Sequence, residues 1–81
     1  MKKYDYSKLK GRIRECFPTQ SEFAQKLGIS DTSLSNKLNN KTVFDQEEIE
    51  ESIKIFSLNP EETIEYFFTL KVDKKSTENG D

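Results

Sequence analysis

Few side chains in this 81-residue chain could do covalent chemistry. It has no His, so the commonest general base and the commonest metal ligand are both missing. The one cysteine, Cys16, excludes an intramolecular disulfide, and its place on an apolar helical face with Leu9 and Ile13 predicts a small core residue rather than a reactive thiol. The carboxylates are scattered without metal spacing, and no Gly-rich phosphate loop is present, so neither an enzyme, a metal site nor a cofactor is expected. What does concentrate is a set of short hydrogen-bonding groups. In "ISDTSLSNKLNNK", Ile29 to Lys41, most residues are Ser, Thr, Asn or Asp, which are mediocre helix formers. Leu34 and Leu38 nevertheless stand four apart, on one helical face.

A turn of about 100° per residue points Leu34 and Leu38 inward and Thr32, Ser33, Asn36 and Asn39 outward, with Ser35 and Lys37 at the flanks. Asn40 is placed to end this helix in a left-handed conformation. Upstream, "TQSEFAQKLG" combines Thr19 and Glu22 at capping-box spacing with an apolar stripe of Phe23, Ala24 and Leu27. Gly28 terminates it, and Ser30 caps the next helix, leaving a turn of three residues.

The flanking segments carry equally local signals. Asp5 can cap a first helix, with a staple between Tyr4 and Leu9 and an inward face of Leu9, Ile13, Cys16 and Phe17. Gly11 weakens that helix, and Pro18 closes it. Asp45 with Glu48, stapled by Phe44 and Ile49, opens a fourth helix whose buried stripe is Ile49, Ile53 and Phe56. Asn59, Pro60, Glu61 and Glu62 open a fifth, with Ile64, Phe67 and Phe68 completing the core. The alternating "YFFTLKV" can end as a short C-terminal strand. The prediction is an all-α fold, a compact bundle of about five short helices containing a helix-turn-helix over residues 1–72. Residues 73–81, "DKKSTENGD", read as a disordered polar tail. No apolar run approaches a membrane span and no signal-peptide pattern is present, so no membrane association and a cytoplasmic location are expected.

Net charge is −2, but residues 1–44 hold nine Lys or Arg against four acids, while residues 45–81 hold four Lys against eleven. The two halves face different environments. Lys2, Lys3, Lys8, Lys10, Arg12 and Arg14 add attraction for a polyanion, although most read as solvated surface.

Two helices joined by a three-residue turn, the second with a polar outer face, suit the major groove of DNA. A helix about 10 to 12 Å across fits a groove about 12 Å wide, and short side chains let its backbone approach the base edges. Asn36 can pair with adenine N6 and N7, and Thr32 and Ser33 can serve several bases. Gln20, Ser35, Lys37, Asn39 and Lys41 surround them as phosphate contacts.

These residues also carry a family resemblance. "TQSEFAQKLGISDTSLSNKLNNK" resembles the helix-turn-helix of the lambda-repressor-like, or Cro-type, family, with Gln20 opening the first element, Ala24 in its middle, Gly28 in the turn and Leu34 in the second helix. "KLNNK" is similar to an "LNGK"-like ending, with Asn40 in place of glycine. The wider pattern resembles short Cro-like regulators of phages of Gram-positive bacteria. The resemblance implies a transcriptional regulator that reads bases at Asp31, Thr32, Ser33 and Asn36, occupies a double-stranded DNA operator and acts as a repressor inside a bacterial host cell. A homodimer would use "IEYFFTLKV". Two departures stand out: Lys37 occupies a usually apolar position, and Asp31 is acidic where a neutral or basic reader is usual. The alternative is an antirepressor, a modulator that docks the acidic segment "DQEEIEES" on a partner repressor protein.

Overall fold

The computed structural model describes residues 3–71. Lys2, Val72 and the polar tail expected over residues 73–81 lie outside the described residues. The fold is all-α, with five helices in the expected order: α1 (Ser7–Cys16), α2 (Gln20–Leu27), α3 (Asp31–Leu38), α4 (Gln46–Phe56) and α5 (Pro60–Phe67). None of these helices is long and apolar enough to cross a membrane.

Local capping chemistry sets most boundaries. Thr19, Ser30, Asp45 and Asn59 each accept the N–H of the residue three positions on, and the Glu48 and Glu62 carboxylates return the bond to close reciprocal boxes. At Thr19 only half of the expected box forms, since Glu22 contributes its N–H alone. The C-termini repeat one device. Gly28, Asn40 and Ser57 all take positive φ, and the N–H groups of Ile29, Lys41 and Leu58 reach back to the carbonyls of Ala24, Asn36 and Ile53.

α1 differs from expectation at both ends. Asp5 does not hold the capping position; its carboxylate accepts the Ser7 N–H at 2.9 Å, and Tyr6 between them turns into the core. At the other end Cys16 is exposed. The chain leaves the helix in extended geometry at Phe17, whose ring packs against Phe23 and Phe56.

α1 packs on α5 and α2, and α2 on α3 and α4. Two aromatic groups fill the interior. Phe23 stacks on Phe56 with centroids 5.2 Å apart, while Phe44 meets both Tyr6 and Phe67 edge to face. Leu9, Ile13, Ala24, Leu34, Leu38 and Leu58 complete the core.

Two helices are rotated from their expected faces. In α5, Tyr66 and Phe67 are buried, whereas Ile64 and Phe68 are 59% and 49% exposed. The Glu62–Tyr66 edge faces α1, where the Arg12 guanidinium donates to the Tyr66 hydroxyl at 3.0 Å and to Glu62 at 3.4 Å. In α4, Ser52 and Phe56 are buried, while Ile49 and Ile53 pack only partly against the core. The Ser52 hydroxyl donates to the Glu48 carbonyl at 2.9 Å, so its burial leaves no unpaired group.

The expected C-terminal strand is reduced to one antiparallel bridge between Tyr4 and Leu70. The Asp5 N–H donates to the Thr69 carbonyl at 2.7 Å and the Lys71 N–H to the Lys3 carbonyl at 2.9 Å. Both ends of the described chain are thus brought beside the end of α3.

Candidate nucleic-acid interface

α3 is held by its ends and flanks. At its start the Asp31 carboxylate accepts the Ser21 hydroxyl of α2 at 2.7 Å, fixing the angle between the two helices across the turn Gly28, Ile29, Ser30. At its finish the Asn40 side chain bonds the backbone of Tyr4 twice. Along its flank Lys37 donates to the Val43 carbonyl at 3.1 Å and pairs with Glu48 Oε1 at 3.1 Å, each side chain only 12% exposed. Glu48 Oε1 also accepts the Asp45 N–H, so one carboxylate caps α4 and anchors α3.

These attachments divide the sequence-predicted site residues into two groups. Asp31 is tied to Ser21, Lys37 is drawn into its ion pair, and the Ser35 hydroxyl accepts the Asn39 amide at 3.4 Å. Thr32, Ser33 and Asn36 share one face at i, i+1 and i+4, and their side chains hold no hydrogen bond among the described residues. Gln20 is exposed at the start of α2, and Lys41 is exposed just beyond α3. Lys37 is therefore not brought to the polar face; its ammonium is directed to the α4 cap instead.

Sequence reasoning missed two contributors. Asn40 was expected only to end α3, yet its amide also positions that end. Arg12 read as surface charge, yet it bridges α1 to Tyr66 and Glu62 of α5. A planar bidentate amide and a guanidinium are suited to such roles, but their partners lie too far along the chain for any local pattern to indicate them.

The fold and this face define a small all-helical bundle that presents one short, polar, firmly anchored helix. The sequence profile of a family described as "Protein of unknown function (DUF739)" matches residues 2–70, and the chain belongs to that family. No curated protein matches the sequence.

Proposed function

We propose that this protein is a sequence-specific, double-stranded DNA-binding transcriptional regulator of Cro-like type, a repressor that works without cofactor in the cytoplasm of a bacterial host. The observation that carries this reading is the uncommitted trio Thr32, Ser33 and Asn36 on a helix anchored at both ends and along its Lys37 flank. Fixing the helix lowers the ordering cost of docking, while the trio keeps its donors and acceptors for base edges. Gln20, Asn39 and Lys41 are the phosphate contacts retained from the sequence reading, with Ser35 beside them.

A bundle this small contacts few phosphates, so a second copy on a palindromic site is the expected route to affinity. The face offered for it is apolar. Phe68 and Val43, 49% and 69% exposed, border a hollow of about 100 Å³ lined by Tyr4, Tyr6, Phe44, Ile49 and Phe67. Knob and hollow on one face suit a two-fold, self-complementary contact.

The experiment is selection of binding sites from a randomised duplex library, followed by titration of the selected site. Enrichment of a palindrome, bound cooperatively by wild type and without cooperativity by Phe68→Glu, supports both parts of the reading. A second reading, a modulator that binds a partner repressor, is favoured by a hollow of about 350 Å³ beside Gly28 and Ile29 that is lined by Asp45, Glu47, Glu48 and Glu51. Failure to enrich any duplex leaves that reading as the stronger one.

A further inference from the structure

Six of the ten described basic residues separate into paired side chains and a cluster that lines one cleft. Lys8, Arg12 and Lys37 are paired with Glu65, Glu62 and Glu48, so their charges are balanced within the fold. Lys3, Lys10 and Lys71 form no ion pair among the described residues, yet they converge from three elements. Lys3 comes from the N-terminal segment, Lys10 from α1 and Lys71 from the C-terminal segment, and all three line one cleft of about 300 Å³. The Tyr4–Leu70 bridge sets Lys3 and Lys71 side by side, because the Lys71 N–H donates to the Lys3 carbonyl.

The cleft also contains Asp5, Leu38, Asn39 and Asn40, so it opens at the C-terminal end of α3. Asn39 belongs to both surfaces. It lies three residues beyond Asn36 and seven beyond Thr32, on the same helical stripe, and it is exposed. One carboxylate, Asp5, opposes the three lysines; its bonds from the Ser7 N–H and hydroxyl come from a neutral partner and leave its charge in place, so three positive charges face one negative. Excess positive charge remains in a recess that continues the polar face of α3.

The geometry points to a phosphate-binding site: Lys3, Lys10 and Lys71, with Asn39 at the rim, receive a backbone phosphate of duplex DNA just beyond the segment read by α3. This rests on the DNA-binding reading above and extends it, assigning the contact to residues outside the two helices that flank the turn. It also gives the terminal bridge a role, since pairing the two ends of the described chain assembles two of the three ammonium groups.

The test is a salt titration of the selected duplex with wild type, the double variant Lys10→Gln/Lys71→Gln, and Lys54→Gln as a control on the exposed surface of α4. Losing one phosphate contact per bound copy is expected to make the slope of log K against log salt shallower by about 0.9 for each copy, which is roughly tenfold weaker binding per half-site at about 0.1 M salt. Lys54→Gln should match wild type. A scan with single neutral methylphosphonate linkages, made with unmodified protein, should find one costly position beyond the α3 end of each half-site. That position should cease to matter in the double variant. Specific binding by wild type with an unchanged slope in a folded double variant overturns the cleft while leaving the DNA reading intact. A scan with no costly position there does the same. Absence of any specific duplex binding by wild type defeats the DNA reading, and this inference falls with it.

Discussion

The Asn40 side chain holds both backbone polar groups of Tyr4: its Oδ1 accepts the Tyr4 N–H at 2.8 Å, and its Nδ2 donates to the Tyr4 carbonyl at 3.0 Å. The amide takes the place of a strand partner on the edge of Tyr4 opposite Leu70. Asn40 itself sits at φ 65, a conformation glycine adopts without strain and Asn tolerates better than other residues. This accounts for an asparagine at a left-handed position that glycine would fit without strain.

Asn40→Gly should therefore destabilise despite suiting the backbone. It relieves φ but removes two hydrogen bonds, each contributing about 0.5–1.5 kcal/mol net, so a loss of about 1–2 kcal/mol is expected. Asn40→Ala loses the same bonds and adds left-handed strain of about 1 kcal/mol. Urea denaturation should rank wild type above Gly and Gly above Ala; a Gly variant as stable as wild type would show that the clamp contributes nothing.

Lys37→Gln separates anchoring from DNA contact. The ammonium is largely withdrawn from solvent between Glu48 and the Val43 carbonyl, so losing its charge should cost about 1–3 kcal/mol of stability. The salt dependence of DNA binding should be unchanged. A slope reduced by about 0.9 with little loss of stability would return Lys37 to the phosphate contacts.

Two backbone substitutions should stabilise. A Cβ added at Gly11 meets nothing within 4 Å, so Gly11→Ala should raise stability by about 0.5–1 kcal/mol. Ser57 holds φ 54 at the end of α4 with its side chain exposed, and Ser57→Gly should contribute a similar amount. Thermal melts of the two variants check this, and a lowered midpoint in either would reveal a contact the backbone argument omits.

The N-terminal caps of α2 to α5, unlike that of α1, were legible in the sequence because each is closed within three or four residues, as in Asp45 with Glu48 and Asn59 with Glu62, and so was the stop at Gly28 after Leu27. The polar face of α3 was legible for the same reason, as a local periodicity. Helix rotation was not. "IEYFF" offers two adjacent apolar stripes, and the stripe that is buried is the one whose Tyr66 meets Arg12, 54 positions earlier in the chain. The burial of Lys37 depended likewise on Glu48, and the second role of Asn40 on Tyr4, 36 positions away. Cys16 was misplaced because periodicity was carried to the last residue of α1, where the chain turns and Phe17 takes over.

Alkaline pH should expose the burial of Tyr6. Burial pushes its hydroxyl pKa above the ordinary 10.0, with Tyr4 adding to the shift. The folded state thus holds this proton more tightly than the unfolded chain does. The resulting stability is present below pH about 10 and is lost as pH rises through the raised value. Relative to Tyr6→Phe, wild type should keep a constant difference in unfolding free energy from pH about 7 to 9 and lose ground above about 10. A difference that stays flat to pH about 11.5 would contradict the shift.

The most direct measurement is the affinity of wild type and Asn36→Ala for a duplex selected from a randomised library and for its scrambled counterpart. The account predicts that wild type prefers the selected duplex. Asn36→Ala should lose about 10- to 100-fold on it, as expected for a bidentate base contact worth about 1–3 kcal/mol, with little change on the scrambled one. Equal binding of both duplexes by wild type, or an Asn36→Ala variant that keeps full preference, would contradict base reading by α3.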